Sequence, residues 1–141
     1  MSNLTNIPRQ LAVSRRPIVT SIASRADFLN LVQTENPGVV IIKLGAPWCP
    51  PCRRINSLVH KCFDTILATQ PNVVCCDLNV DENGDVYSFL KSKRMVSGIP
   101  NILGYIRKEN HPNNADGFVP SDSVTGANQD AIVDFFTHIL R

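Results

Sequence analysis

Apolar residues along the chain switch between two rhythms, and the switches mark its elements. Val39-Val40-Ile41-Ile42-Lys43-Leu44 holds five apolar residues in six and is rich in β-branched side chains, which predicts a strand covered on both faces. From Pro50 the spacing changes to about 3.6 residues, and Ile55, Leu58, Val59, Cys62, Phe63, Ile66 and Leu67 fall on one stripe of a long amphipathic helix. Pro71-Asn72 ends that helix, Val73 to Val80 reads as a second buried strand, and Asp81-Glu82-Asn83-Gly84 makes the turn after it. Val86, Phe89 and Leu90 mark another helix ending near Met95, and Ile99-Pro100-Asn101 introduces a strand from Ile102 to Ile106.

The flanks complete the pattern. Pro17 to Ile22 reads as a short strand, followed by a helix with Ser24 and Asp27 in a capping arrangement and Phe28, Leu31 and Val32 at helical spacing. Asn36-Pro37-Gly38 closes it. Near the C-terminus, Ser123 to Thr125 is a short edge strand, and Asn128 caps a last helix with Ile132, Phe135, Phe136 and Ile139 on its apolar face. The predicted order is βαβαβαββα, a mixed sheet of five strands flanked by four helices, its last pair an antiparallel hairpin. Residues 1–16 read as a flexible extension and residues 17–141 as one α/β domain.

Composition narrows the function by exclusion. Hydrophobic residues make up 43% and charged residues 18%, a globular balance. The net charge of +2 gives no electrostatic argument for nucleic acid or for an anionic membrane. No apolar run approaches the roughly 18 residues of a membrane span, so the expectation is an intracellular, cytoplasmic protein without a membrane partner. Residues 1–26 contain Arg9, Arg15, Arg16 and Arg25 and no acid, faintly like a mitochondrial transit segment, although Pro8 interrupts any helix there.

The chemistry lies among five cysteines, an odd number and too few to staple a scaffold of this length. Cys49 and Cys52 stand three apart where a strand gives way to a helix. At a helix start the macrodipole and free backbone groups favour an anion, so Cys49 is the expected nucleophile. Cys52, one turn inside the helix, is the expected resolving thiol. Pro50 and Pro51 fit the first turn, where their missing N–H groups have no intrahelical partner, but they also remove donors that could stabilise the Cys49 thiolate. The two effects oppose each other.

Trp48-Cys49-Pro50-Pro51-Cys52 after an apolar strand, with Gly98-Ile99-Pro100 before another and Gly126 ahead of the last helix, strongly resembles the thioredoxin family over residues 17–141. The resemblance implies the thioredoxin fold and a cis Ile99–Pro100 bond, with the Ile99 backbone offered to an extended substrate peptide. It also places Trp48 on the lip of the site, beside Pro50 and Pro51. The Pro-Pro pair departs from the usual Gly-Pro of thioredoxins and is similar to that of tryparedoxins and nucleoredoxins. Six residues before the first cysteine, where the family carries a buried aspartate, stands Lys43; where the family places the partner lysine stands Asp77. A charge-swapped ion pair is the reading this suggests, with Asp77 or a water it holds moving the proton and Lys43 favouring the thiolate forms. The alternative is that Lys43 extends to a sheet edge and Asp77 is solvated.

The remaining candidates read as structural. Cys62 lies on the helix stripe, and Cys75 and Cys76, adjacent on a strand, must point to opposite faces. His60, His111 and His138 are expected to face solvent without a partner. No metal site is expected. The loop of residues 107–119 makes the connection from Pro100 to Gly126 about ten residues longer than the family's usual one, and a part in partner choice is the expectation for it. The resemblance to the thioredoxin family implies an enzyme that reduces protein disulfides, acts as a monomer without a bound cofactor, and draws electrons from a thioredoxin-reductase-like flavoenzyme or a glutathione-type thiol. The alternatives are a binding or adaptor module with incidental redox activity, and an oxidase or isomerase with a more oxidising potential.

Overall fold

The apolar run at the centre of the chain becomes β1 (Val39–Gly45), every residue of it buried. Burial on both faces follows from its place inside the sheet. Strand β2 (Val73–Asn79) runs parallel on one side of β1, and β3 (Asn101–Ile106) runs antiparallel on the other. The edge strand β4 (Asp122–Thr125) pairs antiparallel with β3, giving the order β2-β1-β3-β4. The computed structural model describes residues 15–108 and 117–141. Most of the N-terminal extension, His111 and the middle of the long loop lie outside the described residues.

Among the described residues four helices cover the sheet: α1 (Arg25–Gln33), α2 (Pro50–Thr69), α3 (Gly84–Ser92) and α4 (Gln129–Ile139). Alternation along β1 decides which helices it meets. Val40, Ile42 and Leu44 share one core with Phe28 of α1 and Leu90 of α3. Val39 and Ile41 face the other way, into a core with Ile55 and Phe63 of α2 and Phe135 of α4. Ser24 caps α1 by accepting from the Asp27 N–H at 3.1 Å, and Asn128 caps α4 by accepting from the Ala131 N–H at 2.9 Å. Among the described residues no helix is long and apolar enough to cross a membrane.

Two expectations are corrected. Among the described residues the sheet has four strands, not five, because Pro17 to Ile22 contributes a single parallel bridge at Val19. There the Val19 N–H reaches the Cys75 carbonyl at 2.9 Å, and the Asp77 N–H reaches the Val19 carbonyl at 2.8 Å. The ladder stops on both sides for identifiable reasons. Pro17 has no N–H to donate, and the Asn83 side chain takes the Ile22 N–H at 2.8 Å and donates to the Thr20 carbonyl at 3.4 Å. Helix α3 ends at Ser92, three residues before Met95. Arg94 turns left-handed, with φ 62°, its N–H bonding the Lys91 carbonyl while the Met95 N–H bonds the Leu90 carbonyl. This is the Schellman closure, here without the usual glycine.

Candidate active site

The end of β1 and the start of β3 are neighbours, since Leu44 pairs with Asn101. Cys49 follows five residues after Leu44, and Pro100 immediately precedes Asn101, so the antiparallel pairing brings both loops to one end of the sheet. Cys49 is the N-cap of α2, with Pro50 and Pro51 as its first two residues. The donors at this helix end are fully accounted for. The prolines have none, the Cys52 N–H points at Cys49 Sγ at 3.3 Å, and the Arg53 N–H bonds the Cys49 carbonyl at 3.1 Å. The prolines therefore leave one backbone donor aimed at the Cys49 sulfur. Cys49 and Cys52 are joined in a disulfide, their Cα atoms 5.2 Å apart. The guanidinium of Arg53 donates to the Pro47 carbonyl at 2.8 Å and braces the approach loop.

The Ile99–Pro100 peptide bond is cis. Ile99 packs against the cluster that contains both Cys49 and Cys52. The Gly126 N–H, in a turn where Gly126 takes φ 93°, bonds the Pro100 carbonyl at 2.9 Å and ties this loop to the start of α4. Trp48 is 62% exposed, an unusual position for so large an apolar ring. Its indole N–H donates to Asp81 at 2.7 Å, fixing the ring beside the disulfide; the sequence reading did not single out Asp81.

Beneath the disulfide, Lys43 and Asp77 are register partners on adjacent parallel strands, with Nζ 3.4 Å from Oδ1. Lys43 is 3% exposed on an inner strand, so it does not extend to an edge. Its ammonium also donates to Asn56 Oδ1. A Cβ on Gly45 would lie 3.4 Å from Cys52 Sγ and 3.8 Å from Lys43 Cε, so the Cys52 sulfur and the lysine border the same space. That space is a polar cavity of about 350 Å³, lined by Lys43, Cys52, Asn56 and Asp77 among others.

His60 corrects a further reading from the sequence. It is half-exposed but not partnerless, for its Nε2 lies 2.7 Å from Asp77 Oδ2. The stripe used to find α2 counted only apolar positions. Cys52, Asn56 and His60, four residues apart, form a polar row along the same helix. Spacing alone could have revealed it.

The other cysteines differ in setting. Cys75 packs in the core under α2 and α4, and Cys76 in the core under α1 and α3. Burial pushes the Cys75 thiol up to about 12, and burial pushes Cys76 higher still, with the charges of Cys75 and Asp77 adding to it. Cys62 is half-buried, and burial raises its thiol too.

The model of the thioredoxin family matches residues 19–135. The chain belongs to the thioredoxin family. A thioredoxin of Caenorhabditis elegans is 28% identical over 75 residues, covering 53% of this chain and 62% of the relative, so the match spans less than two thirds of that protein. The M-type chloroplast thioredoxin of Zea mays is 27% identical over 126 residues, 86% of this chain and 68% of its own. The thioredoxin of Plasmodium falciparum superposes with a TM-score of 0.61 at 24% identity, over 85% of this chain and 98% of that one, a likeness of fold. Thioredoxin-family membership and the Cys49–Cys52 disulfide fit a disulfide oxidoreductase of the CxxC type.

Proposed function

We propose that this thioredoxin-family protein reduces disulfides in protein substrates by cycling Cys49 and Cys52 between dithiol and disulfide. The observation that carries the reading is the Cys49–Cys52 disulfide at the head of α2, in the same cluster that the Ile99–Pro100 loop packs against. The Cys49 thiolate attacks one substrate sulfur, a mixed disulfide forms, and the other substrate sulfur leaves as a thiolate. Cys52 then loses its proton and attacks Cys49 Sγ. The Cys49–Cys52 bond forms, the second substrate sulfur departs, and two electrons have passed to the substrate. Trp48, Pro50 and Pro51 line the approach, and the Ile99 backbone pairs with an extended substrate segment. Asp77, held by Lys43, receives the Cys52 proton. Electrons return from a thioredoxin-reductase-like flavoenzyme or a glutathione-type thiol; the protein needs no bound cofactor, acts as a monomer, and works in the cytoplasm.

A second direction has one observation in its favour. Lys43 borders the same space as Cys52, and an ammonium there favours the thiolate, stabilising the reduced pair and making the disulfide more oxidising. Two measurements test and sort these readings: insulin reduction with a thiol donor, and the potential of the pair against glutathione buffers. Turnover with a potential near roughly −270 mV supports a general reductant, and one near roughly −200 mV an isomerase-like role. No turnover, with partner binding retained in Cys49→Ser, supports an adaptor instead.

A further inference from the structure

The proton released by Cys52 needs an exit. Asp77 is only a quarter exposed and its Oδ1 is committed to Lys43, so a proton that reaches it has little direct contact with bulk water. The other oxygen, Oδ2, is held by a half-exposed imidazole. The row Cys52, Asn56 and His60 on α2 therefore runs from the reacting sulfur, past the lysine's amide partner, to a titratable ring at the surface. Lys43 of β1 and Asp77 of β2 face that row from the sheet, and Glu82 stands on the rim of the same cavity. On α2 itself, Lys61 and Asp64 flank His60, with Asp64 paired to Arg15 at 2.9 Å.

We propose that His60 completes a proton path that leads from Cys52 through the polar cavity to Asp77 and out to solvent. This rests on the disulfide chemistry proposed above. As Cys52 attacks Cys49 Sγ, its proton crosses to Asp77 through water, for which a cavity of about 350 Å³ has ample room. The Asp77–His60 pair then holds that proton as carboxylate and imidazolium. The exposed ring releases one proton to water, which closes the balance. When the Cys49–Cys52 bond is reduced, the same groups return a proton to Cys52. His60 acts through Asp77 and touches neither sulfur, so it is a positioning and relay residue rather than a catalytic one.

The test isolates the closing step. The reduced full-length protein is mixed with oxidised glutathione, quenched in acid, and analysed by mass spectrometry for the Cys49–glutathione mixed disulfide and its conversion to the Cys49–Cys52 disulfide. In His60→Gln, which keeps a hydrogen-bonding group beside Asp77, closure is expected to slow about tenfold. Added imidazole should restore it in proportion to concentration, while the wild type shows little response. Two results overturn the inference alone: closure in His60→Gln at the wild-type rate, or slow closure that imidazole leaves unchanged, which marks a merely structural contact. A wild-type protein that forms no mixed disulfide at Cys49 overturns the underlying chemistry and the relay with it.

Discussion

Cys49 and Cys52 are as buried as Cys75 and Cys76. Measured by exposed area, the four range from 0% to 4%, so accessibility does not separate the pair at the helix start from the pair in mid-strand. What separates them is the backbone. The first pair sits where a helix begins, with the Cys52 N–H directed at Cys49 Sγ and a polar cavity behind Cys52. The second pair sits in a strand bonded by β1 on one side and by Val19 on the other, each thiol pointing into a different apolar core. A backbone donor aimed at the sulfur and a polar cavity behind it are expected to make a thiol reactive, whereas strand burial alone is expected to leave it inert.

Exchanging the roles of the two pairs should fail completely. Cys49→Ser is expected to drop insulin reduction to background, while Cys75→Ala with Cys76→Ala should leave the rate within about twofold, because cavities in the core act on stability before chemistry. Loss of activity in the second variant at full folding would break the comparison. Labelling sharpens it. Burial holds the Cys75 thiol well above the ordinary range, at about 12, so iodoacetamide at pH 8 should modify Cys49 rapidly, Cys62 slowly and Cys75 hardly at all. Peptide mapping over time checks the order.

Stability separates the polar and apolar settings by smaller amounts. Asp77→Ala should cost about 3 kcal/mol in denaturant unfolding, since it leaves the Lys43 ammonium buried without its carboxylate. Cys76→Ser should cost about 2 kcal/mol, because it places a hydroxyl among apolar side chains. The pH dependence at Cys75 has a definite sign. Its folded thiol is raised above the unfolded one, so its contribution is complete below the ordinary thiol range and is lost as pH rises through that range toward about 12. Wild type should therefore lose stability between pH 9 and 11 faster than Cys75→Ala, which is readable from melting temperatures.

Much of this was legible in the sequence because it rests on local pattern. The apolar run of β1, the stripe of α2 and the caps at Ser24 and Asn128 all depend on neighbours a few residues away, and the WCPPC segment stands at the junction those patterns define. Lys43 and Asp77 became a pair only through the family resemblance, which supplied the strand register. Other features depended on distant competition. Nothing near Thr20 announces that Asn83, more than sixty residues on, takes the bonds a fifth strand would have used. Arg94 adopting a glycine's conformation is equally silent, because the Schellman bonds that hold it form only once α3 is built. His60 was missed for a different reason: a search for apolar faces passes over the polar row that one side of α2 directs at the sheet.

The most direct test of the account is to trap the first covalent step. Cys52→Ser, reduced and mixed with a disulfide-bonded protein such as insulin, cannot resolve the mixed disulfide, so the adduct accumulates and can be digested and mapped. The account predicts the substrate sulfur on Cys49 alone. An adduct on Cys62, Cys75 or Cys76, or no adduct from a folded protein, would contradict it.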